Sequence, residues 1–167
     1  AACRLAGVDG ETIVNTVSNY ILKNGRMQTF TLGGHHGTLL TSKHENSIAY
    51  DTNLRYIRQE AKAPCAVLVI VDAVSRKYFT SETSWLWDID FDRLNCPQVE
   101  KVVLCGKYVN DLAMRFDYTS VAPEKIVCYD TAAQAAEALK AAGEEDLYVL
   151  TCFSDRDKLL SLTQRDA

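Results

Sequence analysis

"CAVLVIVD", residues 65 to 72, is a short apolar run rich in β-branched residues that stops at an aspartate. It lacks the polar alternation of a strand with one wet face, and it is far too short to span a bilayer. Such a run fits a strand buried on both faces of a parallel sheet. Three later segments repeat it in kind: "VEKVVLCG" (99 to 106), "EKIVCYD" (124 to 130) and "DLYVLTC" (146 to 152). Helical patterns fill the gaps between them. "YVNDLAMRFDY" follows the second strand, and "TAAQAAEALKAAG" follows the third, with Thr131 as N-cap and Gly143 as its C-terminal stop. "SDRDKLLSLTQ" follows the fourth, with Ser154 as N-cap and Asp157 three residues on. Strands and helices alternating at this spacing predict an α/β fold with an open, doubly wound, mostly parallel sheet of Rossmann-like type.

Outward from this block toward the N-terminus, the pattern changes. "GETIVNTVSNYILKNG" (10 to 25) puts Ile13, Val17, Tyr20 and Ile21 on one helical face and ends at Gly25. "RMQTFTLGGHHGTLLTSK" (26 to 43) reads as a hairpin turning through Gly33, Gly34 and Gly37. A helix over 46 to 62 closes the section before Pro64. The first ten residues, "AACRLAGVDG", have the Ala-rich look of a helix end and suggest a segment of a longer protein.

The 167 residues are enough for one ordinary domain. With 47% hydrophobic and 24% charged residues, the composition is that of a soluble globular chain. A net charge of -4 with no Lys/Arg cluster gives no footprint for nucleic acid. No apolar run is long enough for a transmembrane segment, and no charged and apolar leader opens the chain. Six cysteines without a CxxC pair read as buried thiols in a reducing cytosol, so a cytoplasmic location without disulfides is expected.

In open α/β sheets ligands sit at the carboxyl ends of the strands. The loop after the first central strand runs about 26 residues where two to six are usual, which marks it as a binding surface. Inside it, "TSETSWLWDIDFDRL" (80 to 94) holds both tryptophans, Trp85 and Trp87, and the acids Glu82, Asp88, Asp90 and Asp92. The segment alternates apolar and polar, and equally forms a helical turn capped by Ser84 with Trp85 and Ile89 on one face. Either the tryptophans pack the loop on the sheet and the acids face water, or one acid beside the aromatic walls is held to orient a histidine or a cation. Arg26 after Gly25, and Lys43 where a strand gives way to a helix, stand where cations meet a nucleotide phosphate, although lone basic residues are most often surface charges. His35 and His36 read as exposed turn residues, and no metal site is expected. Neither GxxxxGK[ST] nor GxGxxG occurs, so the main phosphate loop of any ATP site lies elsewhere.

"TSWLWDIDF", the "CGKYVNDLAMRFDY" segment with Gly106, Asp111, Ala113, Arg115 and Tyr118, and the early "AACRLAGVDGETIVNTVSNY" with "GRMQTF" together resemble the C-terminal part of MurT-type proteins. These are the Mur-ligase-like subunits of lipid II isoglutaminyl synthase. The resemblance runs through nearly the whole chain, and the tryptophan-acid motif is its most specific part. It implies a Mur ligase C-terminal domain over 26–167, with 1–25 as the end of a central domain and its connecting helix. It also implies a class I glutamine amidotransferase partner of GatD type, lipid II as substrate, and ATP with Mg2+ in the full-length protein, with no cofactor expected to be bound by this segment alone. The activity implied is conversion of D-glutamate in the lipid II stem peptide to D-isoglutamine with ammonia from the partner, the segment being inactive by itself.

By the same resemblance Asp88, which ends "SWLWD", completes a Cys-His-Asp triad with the partner's Cys and His, with Asp90 and Glu82 as reserves. Trp85 and Trp87 form the docking loop, and Arg26 and Lys43 lie near ATP. The chain departs from the family pattern at Glu82, where Asp is common, and at Thr41, His44 and Glu45 around the lysine, which marks it as a divergent member. Two other functions compete: an ordinary Mur or folylpolyglutamate-type ligase domain, and a non-catalytic docking module whose aromatic loop only binds a partner.

Overall fold

The computed structural model describes residues 2–19, 26–43, 46–62, 64–73, 82–143 and 146–165. Helices α1 (Ala2–Leu5) and α2 (Gly10–Ser18) precede a hairpin of β1 (Met27–Leu32) and β2 (His35–Ser42). Helix α3 (Ser47–Glu60) leads to β3 (Cys65–Ile70), and two 3-10 turns follow at Ser84–Asp88 and Phe91–Leu94. Next come β4 (Val99–Cys105), α4 (Val109–Phe116), a 3-10 turn at Pro123–Lys125 and β5 (Ile126–Tyr129). Helix α5 (Ala132–Lys140), β6 (Asp146–Cys152), α6 (Arg156–Leu160) and a short β7 (Gln164–Arg165) complete the order.

One sheet takes these strands in the order β5-β4-β3-β6-β2-β1-β7. The five strands from β5 to β2 pair in parallel, and β1 pairs antiparallel with both β2 and β7. The expected doubly wound α/β architecture with an N-terminal helix and hairpin is the one observed. All six residues of β3 are buried because it is central and covered on both sides. Its Val67 and Val69 face α3, α4 and the 82–98 loop, while Ala66, Leu68 and Ile70 face α5 and α6. From β3 the chain winds outward through β4 to β5, then crosses back to place β6 on the other flank of β3. The gap between the ends of β3 and β6 is therefore the topological switch point, where such sheets bind ligands.

Backbone crowding fixes two glycines. Gly106 has φ 109°, and a Cβ there would lie 2.6 Å from the Val71 carbonyl oxygen, so the β4 end passes close over the β3 end. In the hairpin, a Cβ on Gly37 would lie 2.2 Å from the Phe30 ring, which packs across it from the paired strand.

Gly37 is thus a strand residue facing Phe30, and the turn itself is Gly33 and Gly34 alone. His35 and His36 likewise lie in β2, not in the turn. The last helix starts at Arg156 with Asp155 at the N-cap position in place of Ser154, and the Asp155 side chain makes no capping bond because it turns inward to the amides of Asp72 and Ala73. Cys3 and Cys128 are exposed where buried thiols were expected, Cys3 on α1, which buries no residue, and Cys128 on the edge strand β5, and the described cysteines form no disulfide. In α2 the expected core face is not buried: Val17 is 69% exposed and no α2 residue is buried. Tyr20, Ile21 and Gly25 of that reading lie outside the described residues. No described helix is long and apolar enough to cross a membrane.

Candidate functional site

The aromatic and acidic loop is a packed layer of the fold. Trp85, Leu86, Ile89, Phe91 and Leu94 are all buried between α3 and α4, and burial of each side chain contributes about 2 kcal/mol. Trp85 leans on Tyr50 of α3 at 5.4 Å, and Phe91 on Phe116 of α4 at 4.7 Å. With Trp85 and Ile89 both inside, the helical turn is present as the 3-10 turn Ser84–Asp88, but Ser84 is its first residue and not its cap; the N-cap position is Thr83, which makes no side-chain capping bond. Its first turn is stitched by Glu82, whose carboxylate accepts the Ser84 amide at 3.0 Å and is not its helical cap.

That packing sorts the four acids by occupation. The Ser84 hydrogen bonds lower the Glu82 pKa. Asp90 pairs with Arg93 at 3.0 Å, while its own amide donates to Asp51 of α3 at 2.9 Å. Asp92 accepts both the hydroxyl and the amide of Ser120 at 2.7 Å, and these bonds hold its carboxyl below the usual range. Asp88 is exposed and has no hydrogen bond or ion pair among the described residues. Beside it Trp87 stays 49% exposed, its ring 5.2 Å from that of Tyr118, which is 71% exposed. The loop therefore presents an aromatic pair and one unengaged carboxylate to solvent.

A second cluster, not found by sequence reasoning, closes the switch point. Asp155, fully buried, accepts the amides of Asp72 at 2.9 Å and Ala73 at 3.0 Å, the Lys158 ammonium at 3.2 Å and the Cys152 thiol at 3.1 Å. Asp72 in turn accepts the Lys107 amide at 2.6 Å and bonds Lys158. Burial pushes the Cys152 thiol up to about 11, so it is held as a neutral donor. A signal was present in the acids that follow two strand-like runs, but their meeting depended on a strand order that local patterns do not carry.

Burial raises the Asp72 pKa, but the Lys158 and Lys107 bonds outweigh it and leave it below the ordinary carboxylate value. For Lys158, burial lowers the pKa, but the bonds to Asp72 and Asp155 outweigh that and leave it above the ordinary lysine value. A depressed carboxylate contributes stability that is fully present above its unfolded pKa of about 3.9 and is lost as pH falls through the folded value. The raised lysine contributes below its unfolded pKa of about 10.4 and loses its effect as pH rises through the folded value. Asp72→Asn is therefore expected to lower the melting temperature near neutral pH, and the gap to the parent chain should close in strong acid. A gap that stays constant down to pH 2 would show that the carboxylate charge is not what stabilises this corner.

Arg26, just before β1, and Lys43, just after β2, lie at the same open end of the hairpin, away from its Gly33-Gly34 turn. Arg26 is exposed, its guanidinium 5.8 Å from the centre of the Phe153 ring, and its carbonyl accepts the Thr41 amide at 2.7 Å. It borders a cleft of about 310 Å³ lined also by Thr41, Asn46, Thr52 and Asn53 at the start of α3. Asn46 caps that helix by accepting the Ala49 amide at 3.0 Å, and the Thr41 hydroxyl is buried without a hydrogen-bond partner among the described residues. Lys43 is exposed just past β2. Among the described residues no three His, Cys, Asp or Glu side chains converge on a common point.

Among solved structures the chain is similar to MurF from Acinetobacter baumannii, with a TM-score of 0.63 at 14% identity over 96% of this chain and 34% of that one. It is also similar to UDP-N-acetylmuramoyl-L-alanyl-D-glutamate--2,6-diaminopimelate ligase, with a TM-score of 0.51 at 13% identity over 90% and 30%. The fold is that of a Mur ligase C-terminal domain. Residues 44–155 match the model of the MurT ligase C-terminal family, and the chain belongs to that family. Relatives are the lipid II isoglutaminyl synthase (glutamine-hydrolyzing) subunits MurT of Staphylococcus aureus (strain COL), 26% identical over 118 residues, and of Streptococcus pneumoniae (strain ATCC BAA-255 / R6), 24% identical over 155. These matches cover 71% and 92% of this chain but 26% and 33% of the relatives, so it spans about a quarter to a third of their length.

Proposed function

We propose that this chain is the C-terminal domain of an ATP-dependent amidating subunit that converts D-glutamate of the lipid II stem peptide to D-isoglutamine in the cytoplasm. Ammonia comes from a partner glutamine amidotransferase of class I, GatD type. The observation that carries the reading is the state of Asp88: exposed, on a turn fixed by buried neighbours, and without a hydrogen bond or ion pair among the described residues, where every other acid of the loop has an internal partner.

In this scheme the partner's Cys attacks the glutamine amide and its His takes the thiol proton. Asp88 accepts the other imidazole N–H, fixing the tautomer and stabilising the imidazolium. Trp87 and Tyr118 supply the rigid amphipathic contact that seats the partner. In the ligase half, phosphoryl transfer to the α-carboxylate gives an acyl phosphate. Ammonia attacks the acyl carbon and phosphate leaves.

Residues 26–167 form the C-terminal domain, and 1–25 connect it to a central domain. The apolar side chains that α1 and α2 leave exposed, Leu5, Val14 and Val17, are the surface for that contact. The cleft at Arg26, with a Thr41 hydroxyl that has no hydrogen-bond partner among the described residues, fits the ribose or phosphate end of ATP, with Lys43 beside the phosphates. The Mg2+ ligands are assigned to the rest of the full-length protein.

Two measurements on the full-length protein co-expressed with its amidotransferase test the halves separately. Asp88→Asn should abolish most glutaminase turnover while the complex still forms, and loss of binding alone would favour a docking module. Arg26→Ala should raise the KM for ATP about tenfold, the loss of about 1.4 kcal/mol expected for one charge-assisted bond, and leave glutaminase turnover unchanged. An unaltered ATP dependence in both Arg26→Ala and Lys43→Ala would remove the nucleotide from this cleft.

A further inference from the structure

Asp88 has no side-chain anchor among the described residues, so its direction is set by the backbone on either side of it. The carbonyls on either side of it are held by a single side chain. Arg115 of α4, only 8% exposed, reaches up through the core with its guanidinium under the turn. Its Nε donates to the carbonyl oxygen of Leu86 at 3.3 Å and its Nη2 to that of Ile89 at 2.8 Å. These two carbonyls bracket Trp87 and Asp88. The turn's own support there is thin: the Ile89 amide reaches the Leu86 carbonyl at 3.4 Å. The guanidinium also lies 5.6 Å from the Trp87 ring centre and 5.7 Å from that of Phe91. Among the described residues no carboxylate forms a salt bridge with it, and its nearby negative charge is Asp92, whose pKa it helps to lower.

Desolvating a guanidinium without an ion-pair partner costs several kcal/mol. A nonpolar side chain would fill the same space without that cost. What the arginine adds is a planar fork whose donors fix two acceptors in space at once. Resting on the triad reading of Asp88, we infer that Arg115 is a positioning residue of the glutaminase site, locking the Leu86–Ile89 segment so that Asp88 points outward at the partner's histidine. It touches neither glutamine nor the partner and acts only through Asp88.

The test uses the full-length protein in complex with its amidotransferase, with Arg115→Met, Arg115→Lys, Asp88→Ala and the double variant Asp88→Ala/Arg115→Met. Arg115→Met should lower glutaminase kcat about 10²-fold, the cost typical of a displaced reacting group, with little change in the KM for glutamine. Arg115→Lys keeps the charge but cannot hold both carbonyls, and should lose about tenfold. The double variant should be no slower than Asp88→Ala, because the arginine has nothing left to position. Amidation driven by added ammonium should stay at the parent rate in every variant.

The inference is overturned if Arg115→Met and Arg115→Lys turn over glutamine at the parent rate while Asp88→Ala does not. It is also overturned if the two losses multiply in the double variant, or if ammonium-driven amidation falls equally, which would make Arg115 a general stabiliser. Should Arg115→Met fail to fold, the Arg115→Lys result and its combination with Asp88→Ala decide the question. Parent-rate glutaminase in Asp88→Ala would instead bring down the triad reading, and this inference with it.

Discussion

Asp88→Asn is expected to lower glutaminase turnover of the assembled complex by roughly 10³- to 10⁴-fold, the scale on which a triad loses activity when its acid no longer holds the histidine tautomer. The loss should fall on kcat, because in the proposed triad the acid would touch the imidazole and not glutamine. Complex formation should survive, since the exposed aromatic area lies on Trp87 and Tyr118, while Asp88 adds a single carboxylate. Ammonium-driven amidation should also survive, separating ammonia production from its use. Substitutions at Glu82, Asp90 and Asp92 provide the contrast. Each removes a bond that holds the loop, to Ser84, Arg93 or Ser120 respectively, and should cost modest stability with partial loss of turnover. If one of them loses as much kcat as Asp88→Asn with unchanged folding, the acid has been misassigned. Parent-rate turnover in all four would end the triad proposal.

The sheet was readable because its chemistry is local. "CAVLVIVD" has no polar face, and only a strand covered on both sides satisfies such a run. Thr131 announced a helix start as its N-cap, and the structure shows that cap completed by a capping box with Gln134. What could not be read were features made by strands meeting. The position of β6 between β3 and β2 is a property of the winding, and with it comes the contact of Asp155 with Asp72 across 83 residues of chain.

The same reason explains the misplaced cap, since Ser154 offered the better local signal and lost to an aspartate recruited by the neighbouring strand. Arg115 lay between these cases. Val109, Leu112 and Phe116 define the buried stripe of α4, and a charged residue three positions after Leu112 interrupts its inner face. That irregularity was visible in the sequence. Its meaning required knowing that the carbonyls of Leu86 and Ile89 lay above it.

Asp155→Ala is expected to be the most destabilising single change at this end of the sheet, by about 3–5 kcal/mol, the cost of breaking a buried charge from its partners. The substitution strands the amides of Asp72 and Ala73 and removes one of two carboxylates from Lys158. It also takes an acceptor from the Cys152 thiol. For a chain of this size each kcal/mol lowers the melting temperature by about 2–4 °C, so a fall of roughly 10 °C is expected in thermal unfolding. Asp155→Asn keeps one acceptor oxygen and the shape, and should cost about half as much. The glutaminase site should be spared while the protein remains folded. The loop bearing Asp88 has its own supports in Phe91, Leu94, Asp51 and Arg115, none of which is among the bonding partners of Asp155. A melting temperature within about 2 °C of the parent, which corresponds to a cost below about 1 kcal/mol, would mean that solvent replaces the lost acceptor and that the corner is open. Loss of glutaminase activity in the folded variant would mean that the two ends of the long loop move as one.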